Sequence, residues 1–148
     1  MRSRRSGQRS VGLLLVVMLI AGCEGKPRER DRVAQPVVED SALDPRIIKA
    51  LPSGVSEKMA RTGQRLFVAD CAACHGAGGT GTQLGPALNT GAWTKIEGSP
   101  EEIARVIEEG LPPAKPYDIP MPGRAGSFDA EQLKSLAGYV YALHAANP

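Results

Sequence analysis

Apolar residues recur at three- and four-residue intervals in three stretches of the chain, which is the spacing of an amphipathic helix. The stretches begin at Ser56, Ser99 and Asp129, and each of these residues is a preferred helix N-cap. The second stretch ends at Gly110 and the third near residue 145. The apolar positions are Met59, Leu66, Phe67 and Cys71, then Ile103, Val106 and Ile107, and finally Leu133, Leu136, Ala137, Val140 and Tyr141. No stretch has a comparable strand pattern, so we expect an all-α domain of three to five helices.

Local signals refine these helices. Ser99 is followed by Glu102, and Asp129 is followed by Gln132, so both starts have the sequence of a capping box. Gly63 lies inside the first helix, where glycine costs about 1 kcal/mol relative to alanine. We therefore expect Gly63 to mark a close crossing with another helix.

The first 22 residues have the layout of a secretory signal peptide. Four arginines precede an apolar run at positions 11–20, and this run is too short to span a bilayer. The run ends in Ile20-Ala21-Gly22 before Cys23, an arrangement that resembles the lipobox of bacterial lipoproteins. The alternative is an ordinary signal peptide followed by a chance cysteine. We expect cleavage before Cys23 and lipid on its thiol, which would anchor an exported chain to a bacterial membrane, facing the periplasm.

Residues 23–55 are expected to form a flexible tether, and residues 56–148 the folded domain. Prolines at 27, 36, 45 and 52 interrupt any long helix in the tether, and only residues 47–51 have the pattern of a short helical turn. Loss of the four leader arginines leaves 14 basic and 16 acidic residues, a net charge of −2 instead of +2. No cluster of lysines or arginines remains to indicate nucleic-acid binding.

Cys71, Cys74 and His75 form a CxxCH motif, the attachment signature of c-type haem. Cysteines three residues apart lie on one face of a helical turn, so both thiols reach the vinyl groups of one haem. His75 then supplies an iron ligand from the same side. A thioredoxin-like dithiol would need a βαβ pattern that the chain lacks, and a zinc site would need more ligands at short spacing. With Cys23 lipidated and two thioethers to haem, no free thiol remains.

The second iron ligand is sought among Met59, Met121 and His144, or is absent. Met59 lies in the helix that enters the motif, where a core role explains it, and a surface position explains His144. Met121 lies between two prolines in a loop, and this stiffness suits a segment that holds a thioether on iron. The alternative for Met121 is a gap-filling core residue. We expect His75 and Met121 as the axial pair, which raises the reduction potential relative to two histidines and closes the iron to other ligands.

Residues 57–143 resemble the class I cytochromes c. The resemblance is carried, in matching order and spacing, by Gly63-Gln64-Arg65-Leu66-Phe67, Cys71-Ala72-Ala73-Cys74-His75-Gly76, Gly85-Pro86-Ala87-Leu88, Met121-Pro122 and Gly138-Tyr139-Val140. It implies a small helical fold around one covalently attached haem. It also implies that Gly63 and Phe67 of the first helix meet Gly138 and Tyr139 of the last.

The same resemblance assigns two further residues to the haem site. The carbonyl of Pro86 would accept the imidazole N–H of His75, which orients the ring as metal-bound histidines require. Trp93 would lie near the haem propionates, and the alternative is that Trp93 is an ordinary core residue.

The resemblance implies an electron carrier of a respiratory chain, whose iron cycles between Fe(II) and Fe(III) while both axial ligands stay bound. The expected partners are an electron donor and an acceptor, each a redox protein or a membrane complex, and no small-molecule substrate. Two alternatives remain: a haem enzyme or gas sensor with an open iron site, and a subunit docked permanently on an oxidase or reductase complex.

Overall fold

Two long helices that cross at Gly63 form the centre of the fold. The computed structural model describes residues 42–90, 93 and 95–147. The expected signal peptide, Cys23 and most of the expected tether lie outside these residues. The elements, in chain order, are α1 (Pro45–Lys49), α2 (Glu57–Asp70), α3 (Ala72–His75), a 3-10 turn (Ala77–Gly79), α4 (Pro100–Glu109), β1 (Gly110–Leu111), β2 (Met121–Pro122) and α5 (Ala130–Ala145). The three helices that the apolar pattern predicts are α2, α4 and α5.

Side-chain caps start these helices at the predicted residues. Ser56 accepts a hydrogen bond from the N–H of Met59 at 3.2 Å, and Asp129 forms a complete capping box with Gln132. Ser99 also caps α4, but the carboxylate of Glu102 accepts from the N–H groups of residues 97 and 98, at 2.8 and 3.0 Å, instead of from Ser99 itself. The second capping box is therefore half formed, because the incoming chain curls back over the first turn of α4.

The crossing of α2 and α5 depends on a missing side chain. A Cβ on Gly63 would lie 2.7 Å from the Cβ of Tyr139 and 2.8 Å from the carbonyl carbon of Ser135, so only glycine permits this approach. One turn further along, the rings of Phe67 and Tyr139 meet at a centroid distance of 5.6 Å and an angle of 60°, a favourable tilted geometry. Gly138, which the resemblance places at this crossing, instead faces Val55.

The packed structure begins before Ser56, the expected start of the folded domain. Leu43 and Ile47 are 3% and 9% exposed and belong to the hydrophobic core. Helix α1, which contains Ile47, packs on α5 and is capped by the side chain of Asp44. The tether expected over residues 23–55 is therefore too long at its C-terminal end, because apolar side chains in that part are buried against the last helix.

A two-residue ladder is the one departure from helices and turns that the described residues contain, apart from an isolated bridge. Strands β1 and β2 pair antiparallel, with Gly110 opposite Pro122 and Leu111 opposite Met121. Gly110 ends α4 at a φ of +77°, and a side chain there would collide with the backbone at residues 121–123. The all-α class is confirmed, and the ladder attaches Met121 to the end of α4.

In the described ranges, no helix has the length and apolar character needed to cross a membrane.

Replacement of Gly63 by alanine should destabilise the protein. Alanine is the better helix former by about 1 kcal/mol, but its methyl group would force α2 and α5 apart at the Ser135 carbonyl. Overpacking of this kind costs roughly 1–3 kcal/mol, so we expect a net loss in the free energy of unfolding measured by denaturant titration of the haem-loaded protein.

Gly138→Ala is the matched control, because Gly138 also lies inside a long helix. Its nearest neighbours are the side-chain atoms of half-buried Val55, which has more freedom to move than a helix backbone. We expect the smaller loss for Gly138→Ala, and an equal or larger loss would contradict the assignment of the close crossing to Gly63.

Candidate functional site

The CxxCH motif forms one tight helical turn at the end of α2. Cys71 closes α2 by donating its N–H to the carbonyl of Phe67 at 2.9 Å. The Cys71 carbonyl then accepts from the N–H groups of Cys74 and His75, at 3.1 and 2.9 Å. Among the described residues, Cys71 and Cys74 form no disulfide and are partly exposed, whereas His75 is 9% exposed. The turn thus holds two attachment thiols and a buried imidazole within five residues.

The imidazole of His75 is oriented by a backbone carbonyl. Nδ1 of His75 lies 2.9 Å from the carbonyl oxygen of Pro86, and because a carbonyl only accepts, Nδ1 is the donor. In the neutral ring of this tautomer, the other nitrogen, Nε2, carries the free lone pair and is the atom able to bind a metal. This is the contact that the resemblance to class I cytochromes c implies.

The loop after His75 satisfies the free carbonyls at the end of α3. The Cys74 carbonyl accepts from Oγ1 of Thr82 at 2.6 Å, and the His75 carbonyl accepts from the N–H of Gly81 at 2.6 Å. Gly81 has a φ of +81°, and a Cβ there would lie 2.7 Å from the nitrogen of Ala87. These bonds fold residues 76–88 against the motif and bring the Pro86 carbonyl to the His75 ring.

The electrostatics of Cys71 differ from those of a reactive dithiol. Burial, the largest effect, and the neighbouring Asp70 carboxylate together raise the pKa of the Cys71 thiol to about 11, while the charge of Arg124 opposes the shift. Redox-active cysteines have lowered pKa values, since the thiolate is the nucleophile. The environment of Cys71 therefore weakens the dithiol alternative.

A zinc site needs several ligand side chains close together. No group of three or more histidine, cysteine or acidic side chains is close enough to hold a metal ion among the described residues.

Met121 belongs to a segment that is fixed to α4. Its side chain is partly buried and packs against the hydrophobic core. The N–H groups of Arg124 and Ala125 donate to the carbonyls of Ile107 and Glu108, at 2.8 and 3.1 Å. Met121 is thus held from both sides, by the β1–β2 ladder and by these two bonds.

The other two candidate ligands occupy different surroundings. Met59 lies in the first turn of α2 and is partly buried. The ring of His144 lies against Trp93, with 4.4 Å between centroids and 34° between planes. Nδ1 of His144 lies 3.1 Å from the carbonyl oxygen of Thr90. His144 is therefore engaged by the loop that contains Trp93.

Trp93 presents a hydrogen-bond donor for which the described residues supply no acceptor. Its indole Nε1 is buried and has no partner in the described part of the chain, and Gly98 permits the close approach of the ring, since a Cβ there would lie 2.9 Å from it. An unpaired buried donor is costly and fits an acceptor supplied by a bound group. A carboxylate such as a haem propionate is an acceptor of this kind, so the residues present fit a haem.

Direct contacts join Cys71, Cys74, His75 and Pro86, whereas Met121 and Trp93 are placed by other segments. Sequence reasoning missed Thr82, which holds the loop against Cys74. It also missed the ion pair between Asp70 and Arg124, which links residues 54 positions apart. The signal available for Thr82 is its hydroxyl eight residues after Cys74, in a glycine-rich loop; no local pattern marks the ion pair.

Comparison with known proteins identifies the same region of the chain. A family model described as cytochrome c oxidase, cbb3-type, subunit III matches residues 58–140, which include the CxxCH motif and residues 86, 93 and 121. The chain is similar to the cbb3-type cytochrome c oxidase subunit FixP of Bradyrhizobium diazoefficiens, at 34% identity over 101 residues, covering 66% of this chain and 32% of that protein. It is also similar to FixP of Rhizobium meliloti, at 28% identity, covering 86% of this chain and 42% of that protein. The chain thus spans well under half the length of these curated relatives.

Two solved cytochrome structures have a similar backbone course. Cytochrome XoxG of Methylobacterium extorquens AM1 matches with a TM-score of 0.47 and 25% identity, covering 60% of this chain and 52% of that one. Cytochrome cL of Hyphomicrobium denitrificans matches with a TM-score of 0.46 and 19% identity, covering 55% and 45%.

Thr82→Val should weaken the turn that positions Pro86. The substitution keeps the shape of the side chain but removes the bond to the Cys74 carbonyl and the bond that Thr82 accepts from the Leu84 N–H. Because water reaches this loop, we expect a loss of about 1–2 kcal/mol in the free energy of unfolding. Thr80→Val is the control, since Thr80 makes a single long bond of 3.4 Å, and equal losses in the two variants would contradict this role of Thr82.

Proposed function

The chain belongs to the cytochrome c family described as cytochrome c oxidase, cbb3-type, subunit III, and on this premise we propose that it transfers single electrons through one haem c. Membership implies a covalently bound haem c and an electron carrier, not an enzyme. The observation that supports this role most directly is the hydrogen bond from Nδ1 of His75 to the Pro86 carbonyl. It leaves Nε2 ready to bind iron beside the two thiols of the motif.

Each residue of the site has a distinct part in holding the haem. Cys71 and Cys74 would form the thioether bonds, and His75 would bind the iron. The Trp93 indole N–H would donate to a propionate, which would satisfy the buried donor that the described chain leaves without a partner. When bound, the haem supplies an iron that alternates between Fe(III) and Fe(II).

Met121 is proposed as the second axial ligand. Its segment is fixed by the ladder to Leu111 and stiffened by prolines on both sides. The competing His144 has its ring against Trp93 and its Nδ1 beside the Thr90 carbonyl. A thioether ligand keeps the iron closed to small molecules and raises the reduction potential, which suits a carrier and disfavours the alternative of a haem enzyme or gas sensor.

Met121→Ala should abolish the methionine–iron absorption band of the oxidised protein and lower the reduction potential, because the thioether ligand favours Fe(II). Met59→Ala is the matched control and should leave both the band and the potential unchanged, since Met59 lies in the first turn of α2. An unaltered band in Met121→Ala would exclude Met121 as the ligand.

The location proposed for this carrier is the periplasmic face of a bacterial membrane. The leader at residues 1–22 supports export, and Cys23 supports a lipid anchor that faces the periplasm. Residues 24–41 would then separate the anchor from the packed domain. The donor and acceptor are each a redox protein or a membrane complex.

A second role is as a subunit of a respiratory oxidase complex. The observation that favours it is the matching family model, whose description names an oxidase subunit, together with similarity to relatives named as subunits of a cbb3-type oxidase. This chain spans 29–42% of those relatives, so it corresponds to a portion of each.

Cys23→Ser should prevent lipidation, because a hydroxyl cannot take the place of the thiol, and should release the protein from washed membranes. Incorporation of labelled fatty acid tests for the lipid anchor, and native sizing of detergent extracts tests whether the protein belongs to a larger complex. If the protein is a tethered carrier, it runs as a small species in native sizing, and Cys23→Ser releases it from the membranes. If it is a subunit of a complex, it runs with a large species. Unchanged fatty-acid labelling of the variant would exclude Cys23 as the anchor.

A further inference from the structure

An ion pair joins the two segments that bear the proposed iron ligands. Asp70 is the last residue of α2 and directly precedes Cys71. Arg124 follows Met121 by three residues, and its guanidinium donates to the Asp70 carboxylate. The two side chains are 33% and 37% exposed, so water screens the pair only in part.

In the described part of the chain, the other long-range hydrogen bonds that leave the Met121 segment (residues 121–125) go to a different element. The ladder pairs Met121 with Leu111, and the backbone bonds of Arg124 and Ala125 go to the carbonyls of residues 107 and 108, at 2.8 and 3.1 Å. These contacts connect the segment to α4, which packs on α5. They fix the position of the Met121 segment relative to the last helix. The Asp70–Arg124 pair connects this segment to the haem-attachment turn, residues 71–75.

The electrostatics of Cys71 support this placement. The charges of both Asp70 and Arg124 act on the Cys71 thiol, with opposite signs, in addition to the larger effect of burial. Because both charges act on the pKa of the Cys71 thiol, Asp70 and Arg124 lie beside the haem-attachment turn. The pair is therefore at the junction between the motif and the Met121 segment.

We propose that the Asp70–Arg124 pair holds the Met121 segment against the haem-attachment turn and thereby limits displacement of Met121 from the iron. Asp70 and Arg124 are positioning residues, which act through Met121, and the inference rests on the proposed ligation by Met121. In the free energy of global unfolding, a partly exposed ion pair counts for little. The same contribution is a larger share of the smaller free energy that governs local opening of one segment.

Displacement by imidazole measures this opening. An external ligand binds the ferric iron only in molecules whose Met121 segment is open, so its apparent affinity is proportional to the open fraction. In the haem-loaded protein, Arg124→Gln and Asp70→Asn should each raise the apparent affinity for imidazole about two- to fivefold, the range that a partly exposed pair supports. Both variants should retain the methionine–iron band when no imidazole is present.

Three further variants test the cause. Arg105→Gln removes a surface ion pair with Glu102 on α4 and should leave imidazole affinity unchanged. Arg124→Lys keeps the charge and should bind imidazole more weakly than Arg124→Gln does. The double variant Asp70→Arg with Arg124→Asp restores a pair of reversed polarity and should return the affinity toward that of the original protein.

The outcomes separate this inference from the function on which it rests. If Met121→Ala abolishes the methionine–iron band but Arg124→Gln leaves the imidazole affinity unchanged, the pair has no positioning role and the ligation by Met121 stands. If Met121→Ala leaves the band unaltered, the proposed ligation itself fails. A variant that combines Asp70→Asn with Arg124→Gln gives a further test. If the two substitutions have additive effects on the free energy of imidazole binding, the inference is overturned, since two residues that act as a pair are coupled.

Discussion

The approach of α2 to α5 at Gly63 is the constraint on which the remaining structure depends. A side chain at Gly63 would meet the backbone of Ser135, so the two helices touch at main-chain distance, and the Phe67 and Tyr139 rings pack just beyond. Helices α1 and α4 also pack on α5. As a result, the C-terminal end of α2, where the attachment motif begins, and the end of α4, where the Met121 segment is attached, both have α5 as their common reference.

The orientation of the His75 imidazole follows from how helix α3 ends. The last carbonyls of a helix have no partner within it, and the carbonyls of Cys74 and His75 find theirs in Thr82 and Gly81. To make these bonds the chain must turn back over the motif, and this return brings the Pro86 carbonyl to the imidazole. Termination of α3 and orientation of the proposed iron ligand His75 are thus achieved by the same loop.

What could be predicted from the sequence depends on the range of the interaction. The caps at Ser56, Ser99 and Asp129 involve partners three residues away, and the CxxCH motif lies within one turn, so local patterns identify them. The β1–β2 ladder and the burial of Leu43 depend on where distant segments meet. No local signal encodes these contacts, which is why the packed structure begins earlier than the sequence indicates and includes strands that it does not predict.

The two proposed ligands differ in how the chain holds them. His75 is fixed by bonds that close within residues 71–88, and such short closures lose little when distant parts of the domain fluctuate. The position of Met121 depends on contacts with the end of α4 and on an ion pair across 54 positions. We therefore expect local opening to occur first on the Met121 side. Because the haem would be attached covalently beside His75, a molecule that opens in this way would keep its cofactor and the proposed ligand His75, and it would close again without having to rebind the haem.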